Sequence, residues 1–354
     1  MASLTPRRTE QAGRATVSVA PDEARVGVTS HLDADESAAI LHHKTDRPSG
    51  DRRGLLRGRM RLAAMALLDA GGVRDDKDRM LVLLSPAKKL DTTPLDARRK
   101  KLELSEPELL TDAARLAATA KKLSARDLSE LMDLSDSLAE LNWDRFQVWK
   151  KAHVLGENDA KPAILMFAGD VYGGLAAHEL KNVDLQWMNE RLVVLSGLYG
   201  FLKPLALMQP YRLEMGSSLV NKSGPNLYAY WGDKLAKRLD KKVKAMAEGS
   251  QAIVNLASTE YFKAVPRKSL KSPVIDCAFK EVKDGKPVML MYFAKRARGL
   301  MARYMVNERV DRPDGLKDFD LDDYRFDKAA SGPSEWVFTR PYRTIAMSAG
   351  AGDE

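Results

Sequence analysis

Residues 196–216 are the segment in which glycines, prolines, aromatic side chains and cations are most closely combined, in the sequence SGLYGFLKPLALMQPYRLEMG. Glycine loses the most backbone entropy on folding and proline lacks a backbone donor, so this composition predicts a shaped loop rather than a helix or a strand. Gly197 and Gly200 bracket a turn whose N–H groups can approach an anion without an obstructing side chain. A turn that only joins two elements is the alternative interpretation.

The sequence over residues 295–309 predicts a helix with an apolar side and a basic side. At about 100° per residue, apolar residues from Ala297 to Met305 share one face. The opposite face carries the cations Lys295, Arg296, Arg298 and Arg303. Gly299 lies within this basic face, where glycine costs about 1 kcal/mol of helix propensity relative to alanine, and it is predicted to permit the close approach of a phosphate backbone. A solvated polar face is the alternative.

Further cations stand near the predicted ends of elements, where loops carry function. They are Lys88, Lys89, Lys203, Arg212 and Lys263. Aromatic side chains accompany them, and most are expected in the core because aromatic burial is strongly favourable. Tyr199 and Tyr211 are predicted to be exposed and to stack on bases, at roughly 1–3 kcal/mol per stacked base. If the cations converge, the site binds phosphate.

Three carboxylates are the candidate catalytic groups. Asp170 follows an apolar stretch, Glu214 lies within the shaped loop, and Glu260 precedes a tyrosine. Such groups can serve as general acid or base, or hold Mg²⁺ against a phosphate, in an enzyme that acts on a phosphorylated or nucleic-acid substrate. Ion pairing with neighbouring Arg or Lys is the alternative.

The sequence carries no metal or cofactor motif. Residues 80–354 contain only the histidines His153 and His178, no paired-cysteine motif and no G-x-x-x-x-G-K-S/T motif. The one cysteine, Cys277, is flanked by apolar residues and is predicted to be buried in a strand. We therefore predict no metal, no cofactor and no intramolecular disulfide, and a single thiol is typical of a cytoplasmic protein.

Several segments, in order along the chain, resemble the YaaA family of bacterial peroxide stress resistance proteins. They are LLSPAKKLD (83–91), FAGDVYGGL (167–175), LSGLYGFLKPLALMQPYRLEMG (195–216), LYAYWGDKL (227–235), NLASTEYFK (255–263) and YFAKRARGLMARYMV (292–306). The resemblance implies a single α/β domain with a positively charged cleft, a helix-hairpin-helix element whose glycines would be Gly197 and Gly200, DNA binding, and a role in limiting free intracellular iron during peroxide stress. Ala206 stands where the family is expected to have an acidic residue.

The pattern after Met80 predicts a mixed α/β fold in one compact domain, with a mixed sheet surrounded by helices. Strands are predicted at residues 81–84, 163–167, 192–195, 252–256, 273–279, 287–293 and 335–339, and the pair Asp284-Gly285 predicts a hairpin turn. Helices are predicted at residues 105–123, 124–134, 136–152, 227–247 and 295–309, the first with a capping box from Ser105 to Glu108. The residues expected on inner helix faces are Leu128, Leu131, Leu138 and Leu141.

Residues 1–79 differ in composition from the rest of the chain. They contain 12 Arg and 2 Lys, whereas residues 80–354 contain 17 Arg and 26 Lys. They include no Trp, Phe or Tyr, so they are not expected to bury a core. We expect a disordered extension or a mis-assigned start over residues 1–79, with Met80 as the natural start, an α/β domain over 80–345 and a flexible tail over 346–354. A basic arm or a transit peptide is the alternative for residues 1–79.

The formal net charge of +8 and the pI near 9.3 favour acidic partners, with nucleic acid before anionic membrane. No run approaches the roughly 18 apolar residues of a membrane span, so no membrane insertion is predicted. The leading prediction is a cytoplasmic DNA-binding protein of the peroxide stress response, which recognises duplex or branched DNA by structure rather than by sequence. An enzyme that uses the same basic cleft and a scaffold that binds other proteins are the alternatives.

Overall fold

An eight-stranded mixed sheet forms the centre of the fold. The computed structural model describes residues 80–246 and 251–343, so the predictions for residues 1–79 and 346–354 lie outside the described residues. The strands are β1 (Leu81–Leu84), β2 (Lys89–Leu90), β3 (Lys161–Pro162), β4 (Phe167–Ala168), β5 (Leu192–Ser196), β6 (Gly200–Leu202), β7 (Leu207–Met208), β8 (Ile253–Asn255), β9 (Val274–Lys283), β10 (Lys286–Val288), β11 (Arg325–Phe326) and β12 (Glu335–Pro341).

Five neighbouring strands of this sheet run parallel, in the order β12-β9-β8-β1-β5. Antiparallel β6, β10 and β11 pair with β5, β9 and β12 respectively, while β2 with β4 and β3 with β7 form two small separate pairs. Every residue of β1, β5 and β8 is buried, as expected for parallel strands that are covered on both faces. The continuous apolar runs therefore predicted these strands correctly.

Helices surround the sheet, so the predicted α/β fold is confirmed. They are α1 (Leu110–Ala120), α2 (Ala125–Met132), α3 (Asp136–Val148), α4 (Ala163–Met166), α5 (Asp170–Leu175), α6 (Asn182–Asn189), α7 (Leu227–Trp231), α8 (Lys234–Lys244), α9 (Thr259–Phe262) and α10 (Met291–Asn307), with short 3-10 turns between some of them. No helix among the residues that the structure describes is long and apolar enough to cross a membrane.

Several local predictions are wrong. Residues 163–166 of the predicted strand 163–167 form helix α4, and only Phe167 is in a strand, β4. The predicted helix over 227–247 is broken at Gly232, whose φ is +45°. Helix α1 begins at Leu110, and the capping box predicted at Ser105 does not start it. The residues over 291–293, predicted as strand, start helix α10, whereas Asp284 and Gly285 both have positive φ, as the predicted hairpin turn requires.

The inner face of α3 also differs from the prediction. Leu138 and Leu141 are exposed, at 40% and 43% of their surface, while Ala139, Asn142 and Phe146 face the core. The apolar residues of this helix lie on both sides of the buried face, so periodicity alone could not identify it.

Helices α5 and α10 cross in close contact through two glycines. A β-carbon added at Gly299 would lie 1.8 Å from the carbonyl oxygen of Val171, and one added at Gly174 would lie 2.3 Å from that of Arg296. The prediction that Gly299 lies on an open basic face is therefore wrong, since this glycine is buried between the helices. The crossing holds α10 beside the loop that follows β4.

Candidate functional site

A cleft opens at the carboxyl ends of β1 and β8, which are neighbours in the sheet. The chain leaves β1 toward β5 on one side and leaves β8 toward β9 on the other, so the two following loops diverge. Crevices of this kind are the usual ligand sites of open parallel sheets. Next to the strand ends, before they diverge, the two loops contact each other through two serines. The N–H of Ser258 donates to Ser85 Oγ at 2.8 Å, and the two hydroxyl oxygens are 3.2 Å apart.

Many of the predicted site residues line this cleft, whose cavity measures about 310 Å³. They are the cations Lys88, Lys89, Lys295 and Arg298 and the carboxylates Asp170, Glu214 and Glu260. Arg212 lies directly beside it, in a small adjoining cavity that shares Lys88 and Glu214. Charged residues from five separate segments of the sequence therefore lie around this cavity.

Two of the three carboxylates have structural partners. Glu214 Oε1 accepts from Lys88 Nζ at 3.1 Å and from Arg212 Nη2 at 3.2 Å. Glu260 Oε1 accepts from the backbone N–H of Gly216 at 3.0 Å. These contacts fix the loop over 211–216 to the wall of the cleft. Asp170 is exposed at the start of α5 and has no ion pair among the described residues.

Arg298 is the most enclosed cation of the cleft. Its Nε is buried and has no hydrogen-bond partner among the described residues. Burial lowers the pKa of its guanidinium from the usual value, since the charged form loses hydration. A guanidinium in this position gains from an anion that enters the cleft, because its Nε is already dehydrated.

The remaining cations on α10 lie outside the cleft. Arg303 donates to the carbonyl oxygens of Leu175 and Ala176 at 3.1 and 2.8 Å and pairs with Glu179 at 3.3 Å, so it caps the end of α5. Arg296 is exposed and does not line the cavity. The basic face predicted for this helix is therefore divided between two sides of it.

Two other predicted phosphate contacts lie away from the cavity lining. Lys203 pairs with Glu190 at 2.8 Å and lines a different cavity. Lys263 lies over the ring of Tyr228, with Nζ 4.9 Å from the ring centre. Ala206, where an acid was expected, is buried, and its carbonyl oxygen accepts from the N–H of Ala163.

The turn at Gly197 and Gly200 is buried, so the prediction that its N–H groups are open to an anion is wrong. A β-carbon at Gly197 would lie 2.2 Å from the carbonyl oxygen of Leu213, and Gly200, with φ at +71°, packs against Trp231. The turn joins the antiparallel strands β5 and β6, so no helix-hairpin-helix element is centred on these glycines. They allow close packing of the chain against itself.

Helices α2 and α3 are a consecutive helix pair with a short connection. Three residues join them, and the first, Asp133, has a φ of +52°. Residues 125–148 contain six Asp or Glu and two Arg, so this helix pair carries a net negative charge, which repels phosphate.

Tyr199 and Tyr211 are also buried, and the prediction that they are exposed is wrong. Tyr211 Oη and Ser196 Oγ are hydrogen-bonded at 2.6 Å. Tyr199 Oη accepts from Trp149 Nε1 at 3.0 Å and from the N–H of Gln209 at 3.1 Å. Both rings stabilise the loop from inside, since a buried tyrosine hydroxyl needs partners.

The Tyr199 hydroxyl also determines the state of His153. It already accepts two hydrogen bonds, so its own proton goes to His153 Nε2 at 2.9 Å, and His153 Nδ1 donates to the carbonyl oxygen of Lys151 at 3.0 Å. This arrangement requires a neutral imidazole. Burial accordingly lowers the pKa of His153 below its usual value of 6.5.

We expect this histidine to make stability fall as the pH falls below about 6.5. The unfolded chain binds a proton there while the folded chain does not, so the free energy of unfolding decreases until the pH reaches the lower folded pKa. Urea unfolding of a His153→Gln variant should show a weaker decrease between about pH 7.5 and about pH 5.5. The exposed His178, changed to Gln, is the control and should leave the wild-type dependence intact; equal slopes for all three proteins would exclude His153 as the cause.

Cys277 is buried, as predicted, and burial raises the pKa of its thiol well above the usual value. Peroxide-reactive cysteines are accessible thiolates with a lowered pKa. Cys277, the single thiol of the chain, is buried and has a raised pKa, so it lacks both properties of a peroxide-reactive cysteine.

None of the predicted site residues lies on the most basic helix, α8. Its sequence, KLAKRLDKKVK, has six cations in 11 residues. This density was visible in the sequence, but helical charge runs are commonly solvated faces, and only the structure shows which of the cations are paired.

Comparison with known proteins shows a consistent match over this region. Residues 80–330 match the family model described as peroxide stress protein YaaA. A UPF0246 protein of Paraburkholderia phytofirmans is 46% identical over 262 residues, which cover 74% of this chain and 98% of that protein. A UPF0246 protein of Caulobacter vibrioides is 47% identical over 262 residues, with 74% and 99% covered. One of Saccharophagus degradans is 46% identical over 261 residues, again with 74% and 99% covered.

Proposed function

Because the chain belongs to the YaaA family of peroxide stress proteins, we propose that it protects DNA during peroxide stress by binding phosphate groups of DNA in the cleft at the ends of β1 and β8. The proposal includes the limitation of free intracellular iron that the family resemblance implies. It places DNA, and not iron, in the cleft.

The buried Nε of Arg298 is the observation that carries the proposal. A buried donor without a partner is costly, and a phosphate oxygen that enters the cleft would accept from it. Lys295 lies one turn earlier on the same side of α10, and Lys88 and Lys89 line the same cavity. Phosphate oxygens are anionic acceptors that suit a guanidinium and several lysines together.

The size of the cleft favours a local, unpaired part of the DNA. About 310 Å³ lies at the lower end of the range for small-ligand pockets, whereas a B-DNA groove alone is about 12 Å wide. One unstacked nucleotide with its phosphate fits such a space, and an intact duplex lies across the opening. Unstacking costs least at branches, ends and mismatches, so the expected preference is for DNA structure and not for sequence.

The test is a Lys295→Gln and Arg298→Gln double variant, titrated against branched, single-stranded and duplex DNA over a salt series. Each lost phosphate contact should reduce the slope of log K against log salt by about 0.9, so the double variant should lose about 1.8 and bind branched DNA at least about tenfold more weakly near 0.1 M salt. The matched control is Arg296→Gln, which removes an exposed cation of the same helix outside the cleft. Unchanged affinity and slope in the double variant would exclude the cleft as the phosphate site.

An enzyme acting on a phosphorylated substrate is the second candidate, because Asp170 lines the same cavity without an ion pair among the described residues. A free carboxylate beside bound phosphate can act as a general base. Asp170→Asn separates the two functions when the DNA titrations are combined with an assay of turnover on a phosphorylated substrate. A binding protein keeps or gains affinity for DNA, since a negative charge is removed, whereas an enzyme keeps its affinity and loses turnover of a phosphorylated substrate.

A further inference from the structure

We propose that the exposed side of α8 and the adjoining loop form a second DNA contact, which binds the phosphate backbone of a duplex. We call this surface the lysine strip, and it consists of Lys237, Lys241, Lys244, Lys268 and Lys271. The inference rests on the proposed function in one respect, that DNA is the partner. It assigns binding to residues that do not line the cleft.

The helix itself aligns three of these lysines. At about 100° per residue, Lys237, Lys241 and Lys244 fall within about 60° of one another, and all three are exposed. The apolar residues Leu235 and Val243 lie on the other side of the helix and are buried in the core. With a rise of about 1.5 Å per residue, the three lysines extend over about 10 Å of the helix.

Hydrogen bonds hold the loop between α9 and β9 against the same side of α8. Both carboxylate oxygens of Asp240 accept from the N–H of Lys271, at 3.1 and 2.9 Å, and Oδ1 also accepts from the N–H of Ser272. Ser269 Oγ donates to Asp233 Oδ1 at 2.6 Å. These anchors place the exposed side chains of Lys268 and Lys271 beside the helical row.

The other cations of α8 form ion pairs with residues outside the helix, whereas the lysines of the strip are almost all unpaired among the described residues. Lys234 pairs with Asp112 at 2.7 Å, and Arg238 and Lys242 both pair with Glu108. Among the described residues, the strip lysines form one ion pair, an exposed contact of 3.8 Å between Lys237 Nζ and Asp233 Oδ2. Such a contact contributes at most about 1 kcal/mol. The strip therefore presents up to five positive charges to an external partner.

The chemistry of the surface favours nucleic acid over an anionic membrane. Helices that bind at membrane interfaces insert an apolar face among the lipids, whereas the apolar face of α8 is already buried in the core. Lysine ammonium groups at the ends of flexible stems neutralise backbone phosphates without reading bases. The strip therefore adds affinity that does not depend on sequence.

The test is a Lys237→Gln, Lys241→Gln and Lys244→Gln triple variant of the full chain, titrated with a blunt duplex over a salt series. The expected slope of log K against log salt is shallower by about 2.7, since each contact contributes about 0.9, with affinity at least about tenfold lower near 0.1 M salt. The control changes the exposed lysines Lys100, Lys101 and Lys122 to Gln, which removes the same charge elsewhere.

The outcomes distinguish the two DNA contacts. A weaker slope in the triple variant, with the control unchanged, supports the strip. A wild-type slope in the triple variant, while the Lys295 and Arg298 variant binds weakly, overturns the strip and leaves the cleft in place. Equal losses in the triple variant and its control also overturn the strip, because net charge alone would then explain them. Loss of binding to vesicles of phosphatidylserine, with duplex binding intact, would assign the strip to a membrane and overturn the inference.

Discussion

Replacing Gly299 by alanine is expected to destabilise the protein by about 3 kcal/mol or more, near the upper end of the values measured for overpacked cores. The added methyl group would lie 1.8 Å from the carbonyl oxygen of Val171 and 2.8 Å from the backbone nitrogen of Leu175. Both are backbone atoms of α5, so no side chain can move aside to make room. Helices α5 and α10 must separate, and the buried contacts between them weaken.

The matched control is Gly173→Ala in α5. A β-carbon at Gly173 meets no atom within 4 Å, and alanine is favoured over glycine in a helix by up to about 1 kcal/mol. Urea unfolding at constant pH measures both variants. If Gly299→Ala unfolds at the same urea concentration as the wild type, the close crossing of the two helices is not as described.

The same residue shows why the sequence prediction of the cleft was incomplete. Gly299 stands between cations in the sequence. A glycine that lets a phosphate approach the helix and a glycine that lets another helix pack closely would give the same local sequence pattern. The distinction depends on α5, which lies more than a hundred residues earlier in the chain. Long-range contacts of this kind are not encoded in the periodicity of one segment.

The charged residues of the cleft were predictable for a different reason. Lys88, Lys89 and Glu260 lie within five residues of the ends of buried strands, and parallel strands bring their carboxyl ends to one edge of the sheet. The apolar runs of β1 and β8 could be recognised from sequence, so the loops after them could be chosen as candidates. Burial and exposure of the loop residues could not be recognised in this way.

Tyr199 is the clearest example of that limit. Its position between two glycines suggests a mobile, exposed turn, yet its ring is buried and its hydroxyl binds groups from residues 149, 153 and 209. The partners are scattered along the chain, and none of them marks the tyrosine as a core residue locally. Helix α8 shows the converse, because its charge was evident in the sequence while the pairing of three of its cations was not.

Arg340→Met is expected to destabilise the protein by about 3–5 kcal/mol, the range for breaking a buried ion pair. Arg340 on β12 and Glu281 on β9 face each other in the parallel pairing of the two strands, and both side chains are 1% exposed. Arg340 Nε donates to Glu281 Oε1 at 3.1 Å, and Tyr324 Oη donates to the same oxygen at 2.8 Å. Removal of the guanidinium leaves a buried carboxylate without its counter-charge.

Arg343→Met is the matched control, because Arg340 and Arg343 both pair with Asp322 but Arg343 is 45% exposed. Exposed pairs contribute about 0–1 kcal/mol. The loss in the free energy of unfolding should therefore be several-fold larger for Arg340→Met than for Arg343→Met. A double variant, Arg340→Met with Glu281→Leu, should recover much of the loss, since replacing both partners of a buried pair by apolar groups is often neutral. If the double variant is as unstable as Arg340→Met alone, loss of packing and not the unpaired charge is the cause. Because β12 lies beyond residue 330, where the family match ends, the same measurement shows how strongly this last strand is fixed to the sheet that carries the cleft.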